Sequence, residues 1–409
     1  METTLKNYTH VQFIGHVLNT TPLLKESVEG MSDWGIYLGA SNDADDIALR
    51  LQLVDTVLGR TFPHAVSTSE TLKVFVIPEF FWRGIKGAYQ YTDPTSDVMY
   101  EKIQEGLIAI LNKYGESYDL SDWLFIFGTI LTTHDSPDIQ TEMDETLAKA
   151  GDDFLDVYSI IKKTAGVNAV SPISRLLRIA DKQETADTTD DEKLSALLED
   201  MLNMSDVLAT QRVYNRSFVY YSGQTFHIQK EYKSKEDFIL NNPSEDKKHV
   251  EYYLQTMVNY PPIDENSVID TLPLSCFNCG NLKVGVEICL DHSRKRLFKY
   301  LCDAKITELD IQIIPSCGMQ LKKDSIAAFN GGFLFNCDGE YTIGDNGQNG
   351  DCCHSELKRG KFTPSCGPRL SEQLPLQNVV SLMDIPVDNL FPKGAGEIHI
   401  YKAQPRISE

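Results

Sequence analysis

Apolar residues along the chain fall into short continuous runs separated by stretches with one apolar face. Residues 10–19 (HVQFIGHVLN) read as a first strand. Residues 43–59 (DADDIALRLQLVDTVLG) repeat at helical spacing, with acid from Asp43 to Asp46 at the N-terminus and Gly59 as a stop. Residues 72–78 (LKVFVIP) are almost wholly apolar, as in a strand buried on both faces, and Pro78 ends the run. A second helix fits 96–114 and a second buried strand fits 123–131 (WLFIFGTIL). The order β, α, β, α, β predicts an α/β layered fold.

The pattern breaks after residue 134. The stretch 135–207 is acidic and helical in character and reads as an insertion, either a lid or interaction surface or a solvated excursion. Strands resume at 212–222, turn at Gly223 and return at 225–230 (TFHIQK) as a hairpin. Residues 240–275 form a second, loop-rich insertion. A strand at 281–290 (NLKVGVEICL), a basic amphipathic helix at 293–303 and a strand at 308–315 follow. Two more strands, 332–337 and about 340–343, flank a hairpin signal at Asp338-Gly339. The expectation is a single domain over residues 1–409 with these two insertions.

Charge narrows the partners. The chain carries 59 acidic against 38 basic residues, a net charge of −21. Such a field repels phosphate backbones and anionic membrane surfaces, so neither nucleic acid nor membrane is expected as a partner. No secretory signal opens the chain and no apolar run approaches bilayer length, which together predict a cytoplasmic protein. All nine cysteines lie between Cys276 and Cys366, and their odd number points to reduced thiols. Cys276 and Cys279 form a CxxC pair, and Cys352, Cys353 and His354 form a second cluster. That second cluster lacks the paired spacing of a zinc ribbon, so no metal is expected and ordinary thiols are the favoured reading.

Three chemically useful residues stand at the carboxyl ends of these strands, where α/β folds collect their ligands: Glu79, Lys230 and Cys289. A cysteine thiolate attacks carbonyl carbon, a partly buried carboxylate can take its proton, and a fixed ammonium stabilises the oxyanion. Together they suffice for acyl transfer through a thioester. Each also has a plainer role open to it. Glu79 could cap a helix or pair with Arg83. Lys230 has Lys233 and Lys235 as competitors, and buried cysteine is commonly inert packing.

These residues carry a family resemblance. The chain resembles the nitrilase, or carbon–nitrogen hydrolase, superfamily. Pro78-Glu79 matches the family's Pro-Glu, and Asn215, Gly223 and Lys230 match its Asn, hairpin turn and Lys. Gly285 to Asp291 (GVEICLD) matches its Gly-x-x-Ile-Cys-x-Asp segment. The similarity runs from residue 10 to about residue 345. Tyr232 departs from the family's His at that position, and the Lys–Cys separation is longer than usual. The resemblance implies a four-layer α-β-β-α sandwich of the carbon–nitrogen hydrolase type. It implies Glu79 as general base, Lys230 as oxyanion stabiliser, Cys289 as nucleophile and the Leu290 backbone N–H as second oxyanion donor. A supporting glutamate is expected at Glu236 or Glu251. No cofactor is implied, and a homodimer or higher homo-oligomer is.

The segment after the cysteine reads Leu290-Asp291-His292, unlike the Trp-Glu of nitrile-hydrolysing members. A linear amide, carbamoyl or N-acyl compound is therefore the expected small-molecule substrate. Phe80 and Trp82 either wall its pocket or pack between layers, and Asp291 is a further candidate substrate contact. His292 is read as a helix cap rather than a substrate contact. The acidic surface favours a cationic or neutral substrate. Two alternatives remain open: an acyltransferase using the same acyl-enzyme, and a catalytically silent binding or scaffold protein.

Overall fold

The computed structural model describes residues 6–21, 23–25, 34–93, 96–135, 211–230, 253–254, 275–303, 309–340, 355–363 and 367–407. The first sheet contains β1 (His10–Val17), β2 (Thr71–Ile77), β3 (Trp123–Asp135), β4 (Gln211–Tyr221) and β5 (Gln224–Gln229). The second contains β6 (Cys276–Cys279), β7 (Leu282–Val286), β8 (Leu309–Ser316), β9 (Ala328–Asp338), β10 (Ser355–Thr363) and β11 (Gly367–Leu370). Two strands near the C-terminus, β12 (Leu376–Ser381) and β13 (Glu397–Tyr401), return to the first sheet, whose main order is β12-β13-β1-β2-β3-β4-β5. In the second sheet the strands stand in chain order. Each sheet has a parallel centre, β1-β2-β3 and β7-β8-β9, flanked by antiparallel strands.

Side-chain alternation explains the continuous apolar runs. On β1 to β3, Val11, Phe13, Leu72, Val74, Val76, Leu124 and Ile126 join one apolar cluster with Val284, Ile311, Ile313, Phe333 and Phe335 of the second sheet. Their neighbours Ile14, Phe75, Ile77, Phe125 and Phe127 point the other way. There they meet Ile47, Val54 and Val57 of α1 (Asp43–Thr61) and Ile103, Leu107 and Leu111 of α2 (Val98–Gly115). Both faces of these strands are therefore out of water, and the polar side chains among them, Gln12, His16 and Lys73, are buried too. The architecture is mixed α/β. No described helix is long and apolar enough to cross a membrane.

Three expectations change. Gly59 does not stop α1, which runs on to Thr61; a Cβ at Gly59 would stand 2.6 Å from the Tyr114 hydroxyl of α2, so the glycine lets the helices close. The basic helix 293–303 is two helices, α3 (Leu290–Ser293) and α4 (Arg296–Asp303), broken at Lys295 with φ 60°. β9 runs through to Asp338 and pairs with β10 at Ser355–Thr363 rather than with a strand at 340–343, of which residues 341–343 lie outside the described residues. The insertions at 135–207 and 240–275 lie almost entirely outside them too, as do Glu236, Glu251, Cys352, Cys353 and His354.

Candidate active site

Glu79 follows β2 on a turn that β3 makes room for. Gly128 of β3 has φ +67°, and the register of β3 against β4 shifts between Ile126 and Thr129. A Cβ on Gly128 would stand 2.4 Å from the Pro78 carbonyl, so only glycine admits the Pro78-Glu79 turn here. The turn is then pinned: the Phe80 N–H donates to Thr129 Oγ1 at 2.9 Å and the Trp82 N–H to the Thr129 carbonyl at 3.1 Å. Phe80 itself is held at φ +64°, an uncommon conformation for an aromatic residue.

Lys230 comes from the other side of the first sheet. It follows β5, and its N–H donates to the Asn215 carbonyl of β4 at 2.9 Å. Lys230 and Asn215 thus stand opposite one another and converge on one carboxylate. Lys230 Nζ lies 2.8 Å from Glu79 Oε1, and Asn215 Nδ2 donates to the same oxygen at 2.9 Å. Glu79, Lys230 and Asn215 are all fully buried. Glu79 pairs with Lys230 rather than Arg83.

Cys289 is brought from the second sheet. β7 ends at Val286, and Cys289 turns the chain into α3 with φ 46° and ψ −107°. Among the described residues, four non-glycine residues have positive φ; Phe80 and Cys289 are two of them, and both adjoin this centre. The Cys289 N–H donates to the Pro315 carbonyl at 3.1 Å, and the Glu79 N–H donates to the next carbonyl, Ser316, at 3.3 Å. The end of β8 thus holds both backbones side by side. Cys289 Sγ also lies 3.7 Å from the Cys317 carbonyl.

The elbow is supported from below by a buried network. His292 Nδ1 meets Glu287 Oε1 at 2.7 Å, and His292 Nε2 accepts the Lys322 N–H at 2.9 Å. The proton therefore sits on Nδ1 and is donated to Glu287. Glu287 also accepts the Gln312 amide at 2.6 Å and the Leu297 N–H at 3.1 Å. His292 is thus a buried strut rather than a cap; Cys289 occupies the cap position. Beyond the elbow, Asp338 accepts the amides of Gly318, Met319 and Glu340, and burial pushes its carboxyl up to about 6 against those bonds.

The remaining candidates separate. Phe80 stays with the site: its ring centroid is 5.5 Å from Lys230 Nζ. Trp82 is in the helix-side core, edge-on to Phe81, with its indole N–H donated to the Phe127 carbonyl at 2.7 Å. Asp291 is fully buried and faces Arg296 at 3.8 Å. The Asp291 and His292 amides of α3 donate to the Ile288 and Cys289 carbonyls, while Leu290 supplies the helix's first amide. Cys276 and Cys279 lie buried on β6, and burial pushes the Cys276 thiol up to about 12 and Cys279 well above its ordinary value. Among the described residues no group of three His, Cys, Asp or Glu could hold a metal.

Sequence reasoning did not single out Glu287, and it marked Asp338 only as part of a hairpin signal. Glu287 was legible only as a lone acid inside an apolar strand end (VGVEIC), a polar residue that burial obliges to find partners.

No family model matches the chain, and no curated protein matches it. The chain is similar to a solved mutant of the Nesterenkonia AN1 amidase from the nitrilase superfamily. The two are 9% identical, with a TM-score of 0.32 over 82% of this chain and 78% of that one. A likeness of that size carries no argument about chemistry, so the site's own residues must carry it.

Proposed function

We propose that the protein is a thiol-dependent hydrolase of carbon–nitrogen bonds other than peptide bonds, acting on a linear amide, carbamoyl or N-acyl substrate. One observation carries the reading: a fully buried Glu79–Lys230 pair, braced by Asn215, whose backbone is fastened to the same strand end as Cys289 on its strained elbow. In this reading the packing of α1 and α2, the two sheets and α4 is the four-layer α-β-β-α sandwich of the carbon–nitrogen hydrolases. The apolar clusters on either side of each sheet support it.

Glu79 acts as general base on the Cys289 thiol. Sulfur attacks the carbonyl carbon, and the developing oxyanion is met by the Lys230 ammonium and the Leu290 N–H. The amine leaves with a proton returned from Glu79. Water, deprotonated by Glu79, then attacks the thioester and releases the acid. Burial of every charged participant keeps their electrostatic effect large. Phe80 lines the site beside Lys230, whereas the core position of Trp82 favours its packing role.

The test is ammonia or amine release from a panel of short amides, carbamoyl compounds and N-acyl compounds. Cys289→Ala is expected to abolish release, and replacement of exposed Cys302 to leave it unchanged. Full activity in Cys289→Ala refutes the assignment. So does a panel without turnover joined to iodoacetamide labelling of Cys289 no faster than that of buried Cys279. Added hydroxylamine separates hydrolysis from transfer, since a transferase would hand it the acyl group in preference to water.

A further inference from the structure

The turn that carries Glu79 is held by neutral groups at its two ends and by a charged one in its middle. Thr20 Oγ1 donates to the Glu79 carbonyl at 2.7 Å, and the Phe80 N–H donates to Thr129 Oγ1 at 2.9 Å. At the far end the Leu131 N–H donates to the Trp82 carbonyl at 2.9 Å. Between them Arg50 of α1 donates through Nη1 to the Phe81 carbonyl at 2.6 Å. That carbonyl directly follows Phe80, the residue held at φ +64°. Such a conformation persists only where its surroundings over-determine it.

Arg50 is itself fixed. It is 1% exposed, and its Nε meets Asp46 Oδ1 at 2.6 Å, one helical turn earlier. Its Nη2 donates to the Leu38 carbonyl at 3.2 Å, and the Phe391 ring lies 4.7 Å from Cζ. Asp46 in turn accepts the Tyr89 hydroxyl at 2.6 Å and the Ala40 N–H at 2.9 Å. The guanidinium therefore ties α1, the segment 38–40 and the turn after β2 into one unit.

A buried ion pair adds little stability over well-packed apolar residues of the same volume. What the arginine adds is direction. A lysine would bring the charge on a single point, whereas the planar fork serves one carboxylate and two carbonyls at once. Slack at the Phe81 carbonyl passes through Phe80 alone before it reaches Glu79.

We propose that Arg50 is the positioning residue of the candidate general base. Through the Phe81 carbonyl it fixes the turn, and with it the direction from which the Glu79 carboxylate meets Lys230 and the Cys289 thiol. The proposal rests on the reading of Glu79 as base toward Cys289.

The test needs no substrate. It is the rate at which iodoacetamide labels Cys289 in the full chain near pH 7, read by peptide mass spectrometry in a double-mutant cycle of Arg50→Lys and Glu79→Gln. Arg50→Lys is expected to slow labelling at least tenfold in the wild-type background. In Glu79→Gln, where no base remains to be misplaced, it is expected to slow labelling less than twofold. A role in stability alone would change the rate alike in both backgrounds, and that result overturns the proposal. Faster labelling in Arg50→Lys, the mark of a site merely loosened, overturns it too. With an amide that is turned over, Arg50→Lys should lower kcat at least tenfold and leave KM within twofold. Should Arg50→Lys fail to fold, Asp46→Asn, which frees one edge of the fork, takes its place in the cycle with the same expected sign. Should the double variant fail, the labelling rate of the single variant against wild type decides. Labelling that is equal in wild type and Glu79→Gln would sink the base reading, whatever Arg50 does. A Glu79-dependent rate that Arg50→Lys leaves unchanged would keep that reading and sink the role of Arg50.

Discussion

At the scale of single residues, the energetics centre on charges withheld from water. Glu79 and Lys230 are both fully buried at 2.8 Å, and each makes the other tolerable. Lys230→Ala takes the cation away from the buried carboxylate, which keeps its Asn215 bond, and should destabilise the fold by about 3–5 kcal/mol, read from a urea unfolding midpoint. Glu79→Gln should cost similarly, because the buried ammonium then loses its carboxylate. The double variant Glu79→Gln with Lys230→Met should lose far less than the sum, since no buried charge remains. Under the hydrolase reading, Lys230→Ala should also lower turnover by about 100- to 1,000-fold, the scale of a lost oxyanion donor. A double variant as unstable as the summed singles would show that the pair is not coupled. Glu79 and Lys230 were legible as residues at strand ends. Asn215 was legible only as part of a motif; its bond to Glu79 needed β4 and β5 in register.

At the scale of elements, the site depends on how strands end. β3 bulges at Gly128 so that the turn after β2 can lie against it, and β7 ends in an elbow held by the Glu287–His292–Gln312 network. Gly128→Ala would force a Cβ to 2.4 Å from the Pro78 carbonyl at a φ that alanine rarely adopts. It should destabilise by about 2–3 kcal/mol and impair activity by moving Glu79. Gly115→Ala, where an added Cβ meets nothing within 4 Å, is the control and should be near neutral. Equal midpoints for the two variants would remove the bulge from the account. The difference between these two glycines could not be seen in the chain, because each depends on an approaching neighbour. The same holds for Gly59, whose placement as a helix stop failed once α2 was seen to press against it.

At the scale of the whole molecule, the closing of the first sheet by β12 and β13 buries His16 of β1 under the Ala395 carbonyl, 2.9 Å from Nε2. Burial pushes its imidazole down to about 4, against the upward pull of that carbonyl, from 6.5 in the free state. Between those pH values the unfolded chain binds the proton and the folded chain does not. Stability from this group therefore rises with pH from about 4 to about 6.5 and is flat above, by about 3 kcal/mol in all. Asp338 works the other way: its carboxyl is raised to about 6, so the folded chain keeps a proton the unfolded chain loses as pH climbs from 3.8. Melting temperatures of His16→Gln and wild type across pH 4–7 isolate the histidine. The gap between them should change steadily up to about 6.5 and then stay constant; a gap independent of pH would refute the buried neutral imidazole.

What the chain determined by itself is what local pattern controls. Continuous apolar runs specified the central strands, helical spacing specified α1 and α2, and a Pro-Glu, a Lys and a Cys marked strand ends. Such features depend on residues near one another in sequence. Tertiary structure decided what depends on residues far apart. It chose Lys230 over Arg83 as the partner of Glu79, sent Trp82 into the core and made His292 a strut. It also returned the C-terminal strands to the first sheet and left Arg83 buried with no ion pair among the described residues. A charge's partner is set by distance and by exclusion of water, and neither is a property of the residue that carries it.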